Sequence, residues 1–362
     1  MTLKIKLSHQ IEGFTLNVNR TLPSVGLTAI FGHSGCGKTT LLRCIAGLNT
    51  GDGSISLNDT CWQNTTAKSW QPAHQRNLAY IFQDARLLPH LNVLQNIQLN
   101  MQFRGIAETD NALNEAIATC GLNSLVEKFP RQLSGGQKQR ACLARALLCQ
   151  PDLILMDEPL SALDHKAKQE AIQYLQAFKA KTNTPILYVT HSVEELSQLA
   201  DNVLVLEQGN DIHFGPTLET FAEHSELFES SEVASVFEAV VIELSEEHRI
   251  AKAQLLHDNQ PEIPHVWLPS ARLTQGKQIR LRVSARDVSI SLAHNTQQSI
   301  LNTLPAVISR IQRFPQSSTG TVSLAVGANT LHAHITLRSL DQLKLHTGQP
   351  VWAQVKALSV FD

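Results

Sequence analysis

Gly32-His33-Ser34-Gly35-Cys36-Gly37-Lys38-Thr39 places two glycines five residues apart and follows them with Lys and a hydroxyl residue, the pattern of a phosphate-binding P-loop. The flanks agree with it. Leu27-Thr28-Ala29-Ile30-Phe31 is a short apolar run that reads as a buried strand. Thr40-Leu41-Leu42-Arg43-Cys44-Ile45-Ala46 is apolar at helical spacing and closes on Gly47. A polyphosphate needs many N–H donors converging on it, so the backbone must wrap tightly, and glycine permits that. The helix that follows turns its positive end toward the anion. Lys38 adds a point charge beside the β- and γ-phosphates, and the Thr39 hydroxyl is suited to Mg²⁺.

Upstream, Leu3-Ile5-Leu7 and Phe14-Leu16-Val18 alternate as strands. Phe14 is either a core aromatic or a ring for an adenine. Downstream, Gly51 to Trp70 reads as a hairpin and a loop, and Leu78 to Phe82 as a second buried strand. That strand delivers Gln83 to the carboxyl edge of the sheet, where ligands bind in α/β folds. From Asp84 to Pro130 the pattern is helical, with Leu113, Ala116, Ile117 and Cys120 on one face and Gly121 as a stop. Arg86 to His90 is a kinked segment, either a docking surface or the entry to a helical subdomain. Leu133-Ser134-Gly135-Gly136-Gln137 opens the next helix with a capping box between Ser134 and Gln137, and its glycines leave N–H groups open to an anion. Leu153 to Met156 is a fully buried strand that delivers Asp157 and Glu158 at its end. Beside a nucleotide, Asp157 can hold Mg²⁺ and Glu158 can polarise an attacking water. Ser161 to Asp164 turns into a helix. Ile186 to Thr190 is a further strand ending on His191, before a second capping box between Ser192 and Glu195. Strands and helices alternating in this way predict an α/β fold with a parallel sheet.

This ordered set resembles the nucleotide-binding domain of ABC transporters over residues 1–230. Its parts are the Walker A loop, the Q-loop Gln83, the LSGGQ signature at Leu133 to Gln137, the Walker B acids, the D-loop at Ser161 to Asp164 and the switch His191. The resemblance implies an α/β P-loop ATPase with a helical subdomain, working as a head-to-tail dimer of two copies. ATP would lie between Gly32, His33, Ser34, Gly35, Cys36, Gly37, Lys38, Thr39 and Thr40 of one copy and Ser134, Gly135, Gly136, Gln137 and Asp164 of the other. Thr39, Gln83 and Asp157 would serve Mg²⁺, and Glu158, His191 and Gln83 would serve hydrolysis. Gln83 and the segment after it would sense transmembrane partners.

Composition bounds the rest. A net charge of -2 over 362 residues offers no global field for nucleic acid. No apolar run approaches the roughly 18 residues needed to cross a bilayer. The N-terminus lacks a signal-peptide core, which predicts a chain that is cytosolic or held at a membrane by a partner. Six cysteines without CxxC spacing predict reduced, mostly buried thiols and imply no zinc site.

Gly215 to Glu247 reads as a helical, acidic connector, with residues 231–280 holding the connector and first β elements. Period-two alternation follows in Ile279-Leu281-Val283, Val288-Ile290-Leu292, Val322-Leu324-Val326, Leu331-Ala333-Ile335 and Val351-Ala353-Val355. It predicts a small all-β barrel or sandwich over 281–362. Two stretches are similar to molybdate importer ATPase subunits: Gln83 to His90, and Ser284-Ala285-Arg286-Asp287-Val288-Ser289. Ser299 to Ala306, Ile335 to Leu340 and Val351 to Val360 resemble a Mop- or TOBE-type oxyanion-binding module. Hydroxyls, backbone N–H groups and a Lys can hold a tetrahedral dianion. By motif position Ser299, Asn302, Ser339 and Lys356 are the candidates. The resemblance implies molybdate at this domain, for feedback sensing or beside a dimerisation role. It further implies two permease subunits, a periplasmic or surface binding protein, and a peripheral place on the cytoplasmic face of the inner membrane. Sulfate, tungstate or another cargo stays open, as does an ABC ATPase acting mainly as an oxyanion sensor.

Overall fold

The computed structural model describes residues 2–361 apart from 12, 105–109, 229–231, 257–263, 271, 272, 296, 315 and 316. The chain divides into two compact units, Met1–Pro216 and Thr217–Asp362.

The first unit is an α/β layer joined to an antiparallel layer. β1 (Thr2–Ile11) and β2 (Phe14–Pro23) form a hairpin that buries Leu3, Ile5, Leu7, Leu16 and Val18. β3 (Leu27–Phe31) leads into the P-loop and α1 (Lys38–Ala46). β4 (Asp52–Leu57), β5 (Thr60–Asn64) and β6 (Ser69–Trp70) extend the hairpin as an antiparallel sheet. β7 (Leu78–Ile81) then returns to the parallel sheet. α2 (Val93–Arg104), α3 (Asp110–Thr119) and α4 (Gly135–Leu148) make up the helical portion, of which residues 105–109 lie outside the description. β8 (Leu153–Asp157), α5 (His165–Lys181), β9 (Ile186–Thr190), α6 (Val193–Leu199), β10 (Asn202–Glu207) and β11 (Asn210–Pro216) complete the unit. Strand order is β6-β5-β4-β1-β2-β11-β10-β3-β9-β8-β7, with β10, β3, β9, β8 and β7 parallel. Every residue of β3, β8 and β9 is buried, as strands covered on both faces require.

α1 is buried nearly all round. Leu41, Leu42, Cys44 and Ile45 share one core with the antiparallel strands and with Leu153, Leu187 and Val189 of the parallel ones. Its C-terminal end is held by a residue that motif reading passed over. Arg76 is 2% exposed and donates to the carbonyls of Cys44 (3.1 Å), Ile45 (2.6 Å), Trp62 (3.2 Å) and Gln71 (2.9 Å), with Trp70 and Trp62 rings beside its guanidinium. A cation there complements the negative end of the helix. Burial pulls its pKa down to about 10. The six cysteines are free thiols, five of them buried.

The second unit begins with α7 (Thr217–Glu223), so residues 217–228 belong with it rather than with the nucleotide-binding unit. The expected helical connector is corrected beyond α7 and a short 3-10 turn at Ser225–Leu227. Residues 229–231 lie outside the description, and Ala234–Ser245 is a strand, β12. Its β-branched content (Val236, Val240, Val241, Ile242) suits a pleated surface, and pairing on both edges overrides the acidic, helix-like spacing. β13 (Ile250–Leu255), β14 (His265–Pro269) and β15 (Gln278–Ser284) join it in one sheet, the first β elements expected in this stretch. β16 (Val288–Ser291), β17 (Asn302–Arg313), β18 (Thr319–Val326), β19 (Asn329–Thr336), α8 (Leu337–Gln342), β20 (Pro350–Val355) and β21 (Ser359–Phe361) follow. Two antiparallel sheets, β14-β13-β12-β15-β21 and β16-β20-β17-β18-β19, bury their inward residues in one core that includes Phe237, Leu281, Ile308, Leu324 and Leu331. The period-two reading of this unit therefore stands, as a two-sheet arrangement. Among the described residues no helix is long and apolar enough to cross a membrane.

Candidate functional site

The P-loop joins β3 to α1. His33, Ser34 and Gly35 are exposed, whereas Gly32, Cys36, Gly37 and Lys38 are buried. Gly37 has φ 106°, a conformation open to glycine, and a Cβ there would press on Leu16 and Phe14. Phe14 thus lies against the base of the loop. Lys38 Nζ donates to the carbonyls of Gly32 (2.7 Å) and His33 (2.8 Å), so the loop is wrapped around its own cation.

The next residues come from the carboxyl ends of three neighbouring strands. Thr39 Oγ1 donates to Asp157 Oδ1 at 2.8 Å, which ties the first turn of α1 to the end of β8. Asp157 is 7% exposed, and its Oδ2 accepts from the Tyr80 hydroxyl of β7 at 3.0 Å. Glu158, one residue past β8, has φ 43°. A left-handed backbone is costly for a residue with a Cβ and clusters at working sites. Here the Glu158 N–H donates to the Val189 carbonyl at 3.2 Å, and the carboxylate emerges beside His191, with Nδ1 3.3 Å from Oε2. The Ser161 hydroxyl donates to the Glu158 carbonyl at 2.9 Å, closing the turn.

Gln83 is exposed two residues beyond β7. Its carbonyl accepts from Gln139 of α4 at 2.9 Å, and the Arg86 carbonyl accepts from Arg145 of α4 at 3.1 Å. The segment carrying Gln83 is therefore anchored to the helix that begins at the signature. That helix starts as expected: Gln137 N–H donates to Ser134 Oγ (3.3 Å) and Ser134 N–H to Gln137 Oε1 (3.0 Å), with Ser134 and Gly135 exposed. Asp164 caps α5, its Oδ1 accepting from Ala167 N–H at 3.0 Å. The second expected capping box is only half formed. Ser192 Oγ accepts from Glu195 N–H, but the Glu195 carboxylate turns inward to Tyr188 (2.7 Å), Thr190 (2.7 Å) and Lys168 (2.6 Å). A buried carboxylate needs those donors more than the helix start needs a second cap.

In the second unit, Ser299, Asn302 and Lys356 line one cleft of about 410 Å³ with Trp267, Leu301 and Val355 among its walls. Ser339 does not line it; it lies in α8, where its N–H and hydroxyl bond Thr336 Oγ1. Asn302 spans the two sheets, accepting from Trp267 N–H at 2.7 Å and donating to the Trp267 carbonyl at 2.8 Å.

Comparison with known proteins bears on these features. The ABC transporter family pattern matches residues 15–161, and the TOBE domain pattern matches residues 298–361. The molybdenum import ATP-binding protein ModC of Pseudomonas fluorescens is 40% identical over 364 residues, covering 99% of each chain. That of Methylococcus capsulatus is 40% identical over 352 residues, covering 97% of this chain and 96% of its own. The chain belongs to the ModC family of ABC ATPases. Members of this family are ABC importer ATPases, so the chain is an ATP-hydrolysing importer subunit that uses ATP with Mg²⁺. Two solved structures share the fold of the first part at 24% identity. CbiO1 of Clostridium perfringens has a TM-score of 0.53, covering 61% of this chain and 91% of its own. The ATP-binding cassette MJ0796 has a TM-score of 0.50, with 60% and 98% covered.

The residues present fit the two groups. Thr39 and Asp157 supply hard oxygen donors 2.8 Å apart, a set suited to Mg²⁺. The exposed loop amides, with Lys38 behind them, suit phosphate oxygens.

Proposed function

We propose that this chain drives molybdate uptake, as two copies closing head to tail on ATP beneath two permease subunits fed by a binding protein. The chain would then sit peripherally on the cytoplasmic face of the inner membrane. The observation that carries the reading is the convergence of Thr39, Asp157, Glu158 and His191 at neighbouring strand ends. In this reading Lys38 leaves the carbonyls of Gly32 and His33 to pair with phosphate oxygens. Thr39 and Asp157, with Gln83, hold Mg²⁺, which when bound neutralises charge on the β- and γ-phosphates. Glu158 takes the proton of the attacking water, its carboxylate oriented by His191. Ser134, Gly135, Gly136 and Gln137 of the second copy would face the same nucleotide, with Ser134 and Gly135 exposed at the helix start, and Asp164 stabilises the turn that faces it. The relatives' names favour molybdate as cargo, and the shared cleft of Ser299 and Lys356 favours an oxyanion at the second unit.

Glu158→Gln tests the chemistry: ATP should still bind, with turnover down about 100-fold or more. Normal turnover would end the base assignment. Calorimetric titration of the full chain with molybdate, tungstate and sulfate tests the second unit. Binding of molybdate and tungstate but not sulfate, lost in Lys356→Ala, is expected. No heat from any of the three would reduce the unit to a scaffold.

A further inference from the structure

We infer that Tyr80 is a positioning residue for the cation-holding carboxylate Asp157. The inference rests on the cation role given to Asp157 above. β7 and β8 run parallel with Tyr80 opposite Leu155. Side chains two apart on a strand share a face, so Tyr80 lies on the face that carries Leu155 and Asp157. Its hydroxyl donates to Asp157 Oδ2 at 3.0 Å while Thr39 donates to Oδ1 at 2.8 Å. Both oxygens of the carboxylate are thus engaged by hydroxyls, but the two donors differ in kind. Thr39 is itself a candidate cation ligand, and its hydroxyl must turn an oxygen lone pair to the ion. Tyr80 lies in the strand beside Asp157 and stays there. Its bond leaves Oδ1 as the oxygen that faces the cation and holds the carboxylate plane in that pose.

The ring is in turn fixed. Tyr80 stacks on Phe82 with centroids 4.2 Å apart and planes at 26°, and the Arg86 guanidinium lies 3.7 Å from the Phe82 centroid. Gln139 Nε2 donates to the Phe82 and Gln83 carbonyls, which holds the backbone just beyond the ring. The hydroxyl is therefore set by packing on the segment that carries Gln83, and any shift of that segment reaches Asp157 through one ring and one hydrogen bond.

Tyr80→Phe removes the hydroxyl and keeps the stack. The test is Mn²⁺ binding by electron paramagnetic resonance, with full-length chain and a saturating non-hydrolysable ATP analogue. Tyr80→Phe should weaken Mn²⁺ on the order of tenfold, the scale of one bond to a charged acceptor. Analogue affinity in EDTA should stay unchanged. Asp157→Asn should weaken Mn²⁺ as well, and adding Tyr80→Phe to it should cost nothing further, because the hydroxyl acts only through the carboxylate. Wild-type Mn²⁺ affinity in Tyr80→Phe, or a full second loss in the double variant, would overturn the proposal and leave Asp157 in place. Unchanged affinity in Asp157→Asn would remove the cation role of Asp157 and the proposal with it.

Discussion

The nucleotide site of the first unit and the cleft of the second are built on opposite plans. In the first, residues far apart in sequence meet at the start of α1 and the ends of β7, β8 and β9 and lie against one another: Thr39 bonds Asp157, Tyr80 bonds Asp157, and Glu158 sits beside His191. In the second, Ser299, Asn302 and Lys356 line one wall system, and Asn302 is already engaged with Trp267. A parallel sheet ends all its strands on one edge, so chemistry collects there. A two-sheet β unit offers no such edge, and its polar residues serve pairing before they serve a ligand.

The largest effect expected is on turnover. Glu158→Gln should abolish most ATP hydrolysis, whereas Ser299→Ala, made in the same chain, should leave basal turnover within about twofold, as surface changes away from a site do. A hydrolysis assay on both variants is decisive; equal losses would erase the contrast between the two sites. Next comes the support of the P-loop helix. Arg76→Ala strips four buried carbonyls of a charged donor and should cost about 3–5 kcal/mol in urea unfolding. A loss under about 1 kcal/mol would mean that water replaces the guanidinium at little cost.

Asn302→Ala sharpens the comparison from the other side. Losing two bonds to Trp267 should cost about 1–3 kcal/mol in stability, with oxyanion affinity unchanged wherever binding is found. A fall in affinity without a fall in stability would return Asn302 to the ligand set.

The smallest effect concerns pH. His332 is 1% exposed, with Nε2 2.8 Å from the Phe221 carbonyl and Nδ1 3.1 Å from Ser323 Oγ. Burial depresses its pKa below the ordinary 6.5, opposed by the bond to Phe221. The unfolded chain therefore takes up the proton first. Stability from this group is full above pH 6.5 and declines as the pH falls below it. The protection factors of the β19 amides, exchange rates corrected for the intrinsic pH dependence of amide exchange, should fall by about a few-fold between pH 7.5 and 5.5, and His332→Asn should flatten that slope.

Sequence alone determined more of the first unit than of the second. Gly32 to Thr39, Ser134 to Gln137 and the Asp157-Glu158 pair each need a fixed local backbone, so their chemistry is written in consecutive residues. β3, β8 and β9 were legible because covering both faces demands unbroken apolar runs; the run at Leu78 to Phe82, read as buried too, is β7, where only Ile81 is buried because the strand lies at the edge of the sheet. The alternating strands of the second unit were legible for the complementary reason, one face in and one out. Only the tertiary structure decided the remainder. Ala234–Ser245 became a strand because β13 and β15 pair with it on both edges. Arg76 and Tyr80 show in no motif, and Glu195 shows only as half of a capping box, because each acts on partners reached through packing: helix-end carbonyls, a neighbouring strand's carboxylate, and the hydroxyls of Tyr188 and Thr190. A motif records what the local backbone must permit. The burial of a charge and the choice of its partner are settled by which elements lie side by side, and that is a property of the folded chain.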